Sequence, residues 1–281
     1  MRILATNDDG IGAVGLAVLS AAVGSDGHDV IVVAPSLEFS GSSSSLGIVK
    51  DESRVLLTTH DPRRFNAVEA YSLNAPPALG VRAACNGSFG PRPDLVVSGI
   101  NPGHNTGRLV VHSGTVGAAV TAAALDICSV AFSTDANAVD GLQSTADVAR
   151  CITRGLIATG LPAVAINVNV PDLPIVGISG LSFASLGSKS TDDVAIEIAD
   201  GSLVLRRRRN ASPYDVGSDA AALATGRIAI TILELPWSTT DTDNDVIAAI
   251  ESSWLEFTRA GQRFASKSIE PDCDVSSRVS S

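Results

Sequence analysis

The sequence predicts an α/β fold with a mostly parallel sheet and helices on both faces. Three observations lead there. Short apolar runs such as Arg2–Thr6 and "DVIVVAP" (29–35) read as strands buried on both sides, since a sheet covered by helices has no polar face to alternate with. Between them, Ala13–Val23 is rich in alanine, leucine and valine at helical spacing and is punctuated by Gly24 and Gly27, so the first 35 residues form a strand–helix–strand unit. Composition agrees: 45% hydrophobic residues over 281 positions supply a sizeable core, and the 4% aromatic content suits tightly packed layers.

The remaining elements follow in order. "SLEFSGSSSSLG" (36–47) is a serine-rich loop, and residues 48–74 are irregular, with short antiparallel strands and polar turns expected. "APPALGVRAACNG" (75–87) is a helix entered through proline, and "PDLVVSGIN" (93–101) is a third apolar strand with a polar end. "SGTVGAAVTAAAL" (113–125) is a small-residue helix; "SVAFST" (129–134), "AVAINVNVPD" (163–172) and "GRIAITILEL" (226–235) are further strands. "DNDVIAAIESSWLEF" (243–257) has an amphipathic helical pattern, and the tail from Ser266 is polar. The expected division is a domain over 1–235 and a C-terminal helical arm over 236–281, where Trp237, Trp254 and Phe257 are apolar enough to dock on a second subunit.

Charge and cysteines exclude several classes. A net charge of −10 argues against nucleic-acid polymers and anionic membranes, although a bound cation can still reverse the local charge for an anionic substrate. The run "RRRR" (206–209) is accordingly read as a solvated hairpin strand or a subunit contact. Cys85, Cys128, Cys151 and Cys273 never form C-x-x-C, so free thiols are expected rather than a disulfide framework or zinc site. Met1 leads straight into the first strand, and no stretch approaches the roughly 18 apolar residues of a membrane span. A cytoplasmic protein is the expectation.

In open parallel sheets, ligands bind beyond the carboxyl ends of the strands. Three polar clusters fall there: "NDDG" after the first strand, "SGSSSS" after the second and "SGINPGHN" after the third. A fourth, "HSGTVGAA", is a Ser-Gly-Thr turn opening a helix, where free N–H groups and the helix dipole favour phosphate. Oxygen ligands converging beside an anion cradle describe a magnesium- or manganese-type phosphoester site. Taken alone, each cluster has a plainer reading: Asp9 as a helix cap, the serine run as a flexible loop, the Ser-Gly-Thr turn as an ordinary helix start. Their conjunction on one scaffold favours the site.

Five segments, "MRILATNDDGIGAVG", "VVAPSLEFSGSSSSL", "RPDLVVSGINPGHNTG", "SGTVGAA" and "INVNVPD", resemble in order and spacing the SurE (survival protein E) family of metal-dependent nucleotide phosphatases. The resemblance implies a Rossmann-like fold and a divalent cation, Mg²⁺ or Mn²⁺, held by Asp8, Asp9, Ser40 and Asn101. It further implies hydrolysis of a small phosphate ester, typically a nucleoside monophosphate, with Asn105, Ser113, Gly114 and Thr115 holding the phosphate. Asp8 and Asp9 would be catalytic through the metal, and His112 is read as the proton donor to the leaving alkoxide, with His104 a second possibility. Dimers or tetramers are implied as well.

Three segments depart from the family's pattern: "GIGAVG" (10–15), with Gly12 for a histidine and Val14 for a proline; "NAPPAL" (74–79), which keeps only Pro76; and His112 in place of an aromatic. Gly12–Gly15 and Asn74–Leu79 are therefore expected to line a remodelled leaving-group pocket, in a specialised phosphatase or a non-catalytic ligand-binding protein. An aspartyl-phosphate mechanism with Asp8 as nucleophile stays open too, although adjacent aspartates are not the Asp-x-Asp spacing it calls for.

Overall fold

Alternate side chains of a strand point to opposite faces, and in the first strand, β1 (Arg2–Thr6), both faces are apolar: Ile3 and Ala5 enter one core, Leu4 the other. The computed structural model describes residues 1–48, 50–210 and 213–234. In it β1 is central to a nine-stranded sheet. Beside it on one side lie β2 (Asp29–Pro35), β4 (Glu69–Leu73) and β3 (Leu57–Thr59); on the other lie β5 (Leu95–Pro102), β6 (Cys128–Thr134), β7 (Ala165–Asn169), β11 (Ile228–Leu233) and β8 (Leu181–Phe183). From β4 across to β7 every neighbour pair is parallel; β3 and β11 run antiparallel to β4 and β7.

Two helices cover each face. Leu16, Leu19 and Val23 of α1 (Val14–Gly24) and Ala146 and Ala149 of α4 (Gly141–Ala158) pack on Ile3, Val32, Val97 and Val130. Val81 and Ala84 of α2 (Pro77–Cys85) and Ala118 and Ala122 of α3 (Gly114–Ala123) pack on Leu4, Ile31 and Val96. The short α5 (Asp219–Ala224) packs Ala222 and Leu223 on Ala229 of β11, and the hairpin of β9 (Asp192–Ala199) and β10 (Ser202–Arg209) forms a separate two-stranded sheet.

Most expected elements form, with two corrections. Helix α4 was not foreseen, because its inward stripe of Leu142, Ala146, Ala149, Thr153 and Leu156 uses small and polar residues among Gln, Asp and Arg. Only β3 in the 48–74 stretch is antiparallel; β4 joins β2 in parallel and widens the main sheet. The arginine run is the hairpin strand expected of it: on one face Arg206 and Arg208 pair with Glu197, and on the other Arg207 pairs with Asp192 and Arg209 with Asp135. Cys85, Cys128 and Cys151 are free, and among the described residues no helix is long and apolar enough to cross a membrane. The amphipathic pattern at 243–257 and the arm over 236–281 lie outside the described residues.

Candidate functional site at the turning point of the sheet

The chain lays β2 and β4 on one side of β1, then returns to lay β5, β6 and β7 on the other. Loops leaving β1 and β5 therefore diverge and open a crevice above their carboxyl ends. Thr6 and Ser98 are the last register partners of the two strands, so Asn7, Asp8 and Asp9 emerge next to the segment that delivers Asn101.

Asp8 turns toward the start of α3. It is 3% exposed, and the Thr115 hydroxyl donates to its Oδ1 while lying 3.2 Å from Asn101 Oδ1. A Cβ on Gly114 would stand only 2.7 Å from both Asp8 Oδ2 and Ser42 Oγ, so glycine is what lets the helix start approach the carboxylate. Burial raises the Asp8 pKa, and the Thr115 hydroxyl with the N–H groups of Thr115 and Gly114 draws it partway back. Ser113 caps the helix, its hydroxyl accepting from Val116 N at 3.1 Å.

Asp9 turns the other way. It lines a cavity of about 190 Å³ with Val14 of α1 and Leu142 of α4, and its buried Oδ2 has no hydrogen-bond partner among the described residues. Burial, then the charges of Asp8 and Glu38, push its pKa up to about 7. The helix-cap reading fails, because α1 is capped at Ala13 with no side-chain hydrogen bond.

The other expected residues divide. Ser40 is exposed and donates to Glu38 Oε1 at 2.8 Å, whereas Ser42, not foreseen, is the serine beside Asp8 and Gly114. Asn105 is fixed above β6 and β7: its Nδ2 donates to Ser133 Oγ at 2.9 Å, and its carbonyl accepts from Asn167 and Asn169. The loop from Asn105 to Ser113 is anchored by Asp219, which accepts from Gly107 N at 2.8 Å, and by Ser190, which donates to the Thr106 carbonyl at 2.6 Å. His112 is exposed; its carbonyl accepts from Ser43 N at 3.2 Å. His104 is held by the Val170 carbonyl, and burial pushes its pKa down. Within the Asn74–Leu79 segment Ala78 is 0% exposed in α2 and Asn74 is exposed, while Gly12 is exposed with open space around it.

These residues suit a hard cation. Asp8, Asn101 and Ser42 come together at the start of α3 and Asp9 follows Asp8 in the chain, all of them oxygen donors, and among the described residues Asp9 Oδ2 and Ser42 Oγ have no hydrogen-bond partner. Among the described residues no three His, Cys, Asp or Glu side chains form a metal-binding group, so neutral oxygens and water would complete the shell.

A family model described as survival protein SurE matches residues 3–193. The chain belongs to the SurE family. Its relatives include the 5'-nucleotidase SurE of Pseudomonas fluorescens (strain Pf0-1), 36% identical over 261 residues that cover 91% of this chain and 99% of that one. The 5'-nucleotidase SurE of Aeromonas hydrophila is 37% identical over 240 residues, 84% and 92% of the two chains. The crystal structure of the SurE protein from Aquifex aeolicus superposes with a TM-score of 0.72 at 28% identity, covering 91% of this chain and all of that one. SurE membership accounts for the five sequence segments and the Rossmann-like sheet together.

Proposed function

We propose that this SurE-family chain is a metal-dependent phosphomonoesterase that hydrolyses nucleoside monophosphates. One observation carries the reading: Thr115 joins Asp8 to Asn101 at the start of α3, while Asp9, beside them, keeps a buried oxygen unpaired. The family relatives are named 5'-nucleotidases, which supports the substrate class.

Asp8, Asp9, Ser40 and Asn101 would hold a Mg²⁺ or Mn²⁺ ion, with Ser42 within reach of the same carboxylate. Such an ion supplies Lewis-acid polarisation of the phosphoryl group. Ser113, Gly114 and Thr115 present the N-terminus of α3 to the phosphate, and Asn105 faces it from the β6–β7 side. In hydrolysis a water oxygen bonds to phosphorus, the ester P–O bond breaks, and the leaving alkoxide takes a proton. His112 fits the donor role by position, next to Ser113 and free of side-chain hydrogen bonds among the described residues. The hairpin exposes Ile196, Ile198, Leu203 and Leu205 as cross-strand pairs, which supports a homodimer or homotetramer, and the reading places the enzyme in the cytoplasm.

The test is phosphate release from nucleoside 5'- and 3'-monophosphates with added Mn²⁺ or Mg²⁺, then with EDTA. Release that needs the metal is the expected result. Release that survives chelation overturns the metal mechanism.

A further inference from the structure

An ester held between Asp8 and the start of α3 must send its leaving group somewhere. On the α1–α4 side the cavity that Asp9 shares with the candidate site is open, and its volume of about 190 Å³ is well below the ~300 Å³ at which pockets for larger ligands begin. That is room for a pentose-sized group, with any larger part of the leaving group lying outside the cavity. Its walls include Val14, Pro102, Ala138 and Leu142, and among the described residues neither an aromatic ring nor a lysine or arginine lines it. A base entering it gains no stacking partner, and a second anionic group meets the carboxylates of Asp9 and Asp135 on the cavity wall.

The cavity's polar lining is short. Asp9 belongs to the metal set, and the Thr134 hydroxyl is already donated to the Val170 carbonyl at 3.2 Å. Asp135 is left. Its Oδ2 accepts from Arg209 Nη1 at 2.5 Å and its Oδ1 from Asn137 N at 3.2 Å, yet its side chain stays 18% exposed. A carboxylate offers about four acceptor positions, so a carboxylate held by two donors is oriented and still unsaturated. The Arg209 guanidinium, the Asn137 N–H and His104 together outweigh its burial and hold its pKa below the ordinary carboxylate value, so it is an acceptor only. Arg209 belongs to β10, so the hairpin fixes the aim of Asp135 from outside the sandwich.

We propose that the cavity beside Asp9 seats the sugar of the leaving group, and that Asp135, aimed by Arg209, selects for its hydroxyl groups. Selection then falls on a hydroxylated, uncharged leaving group and not on the identity of a base. The proposal rests on the phosphomonoesterase reading above and deepens it.

The experiment measures kcat/KM of the full chain with Mn²⁺ on three esters: a ribonucleoside 5'-monophosphate, its 2',3'-dideoxy counterpart, and an aryl phosphate. A hydrogen bond to a charged acceptor corresponds to roughly tenfold or more. The parent protein should prefer the ribonucleotide over the dideoxynucleotide by at least that factor, with no substitution in the protein required. Asp135→Asn should lower the ribonucleotide value at least tenfold further than the aryl phosphate value, and Arg209→Gln should do the same more weakly. Equal turnover of ribo- and dideoxynucleotide by the parent, or equal losses on all esters in the variants, overturns the proposal. Absence of turnover on all three esters is a different result: it overturns the phosphomonoesterase reading, and this proposal with it.

Discussion

The two sides of the strand ends are built differently. On the α3 side, chain segments touch: Asp8, Ser42 and Gly114 leave no room for a methyl group, and a Cβ on Gly117 would stand 2.2 Å from the Ser43 carbonyl oxygen. On the α1–α4 side the helix starts also come close, a Cβ on Gly15 standing 2.2 Å from the Ile100 carbonyl oxygen and one on Gly141 2.3 Å from Thr134 Oγ1, yet a cavity faced by Asp9 is left between them, Val14 is 65% exposed, and Gly12 has nothing within 4 Å of where a Cβ would be. The difference matches what each side would hold. Metal and phosphate are common to every phosphomonoester and reward a rigid, preorganised frame. Leaving groups vary, and a wall of small side chains on one helix start and one loop can vary with them.

That contrast can be broken at the closely packed side first. Gly114→Ala puts a methyl group 2.7 Å from Asp8 Oδ2, so Asp8 or the start of α3 has to move. Turnover with saturating Mn²⁺ should fall about 10²-fold, the effect of a displacement on the order of 1 Å, while far-UV circular dichroism stays native. Activity within a fewfold of the parent would show that the packing seen here does not matter to the chemistry.

Proton linkage at Asp9 sharpens the open side. With a pKa near 7, this carboxyl must lose a proton to take a cation, so metal affinity should drop about tenfold per pH unit below 7. Calorimetric titration with Mn²⁺ at pH 5.5, 6.5 and 7.5 reads this slope. A flat profile would place the cation away from Asp9.

The same linkage reaches stability. Asp9 keeps its proton in the folded chain up to about pH 7, against an ordinary value of 3.8, so the folded state binds more protons between those limits. Metal-free protein therefore loses stability as pH rises through that window and levels off above it. Asp9→Asn mimics the protonated form and, on the proposed function, should abolish metal-dependent turnover. Its metal-free Tm should exceed the parent's at pH 8 and match it below pH 4, as thermal melts in EDTA would show. A variant less stable than the parent at pH 8 would mean that Asp9 supports the fold.

The smallest effect belongs to Gly12→Ala. Its φ lies outside the left-handed region and its surroundings are open, so stability should stay within about 0.5 kcal/mol of the parent by urea denaturation. A larger loss would show that the loop is packed after all.

Much of this was legible in the residues. Apolar runs ending in Asn-Asp-Asp or Ser-Gly-Ile-Asn announce strands whose carboxyl ends carry chemistry, and the structure sets Asp8 and Asn101 together as those ends imply. Less legible was which serine of a run would face the site: Ser40 is turned to Glu38 while Ser42, like Asp8, lies against Gly114, because the path of residues 36–47 depends on contacts such as Phe39 N to the Asp8 carbonyl and Ser43 N to the His112 carbonyl. Asp135 did carry a signal, standing at the end of β6 as Asp8 does beyond β1, but nothing local connects it to an arginine 74 positions on. Nor does the altered segment 74–79 show from its residues alone which of them is enclosed: Ala78 is buried in α2 while Asn74 is exposed.

The residues alone were enough for β1, β2, β5, β6 and β7, for α1, α2 and α3, and for the oxygen-rich ends of β1 and β5, because hydrophobic periodicity and short-range turn chemistry act over a few residues. It took the tertiary structure to decide which neighbours Asp8 and Asp9, adjacent in the chain, would meet. Asp8 goes to α3, where Gly114 admits it, and Asp9 goes to the cavity beside α1. That division follows from the order in which the strands are laid down, and strand order depends on packing between residues a hundred positions apart.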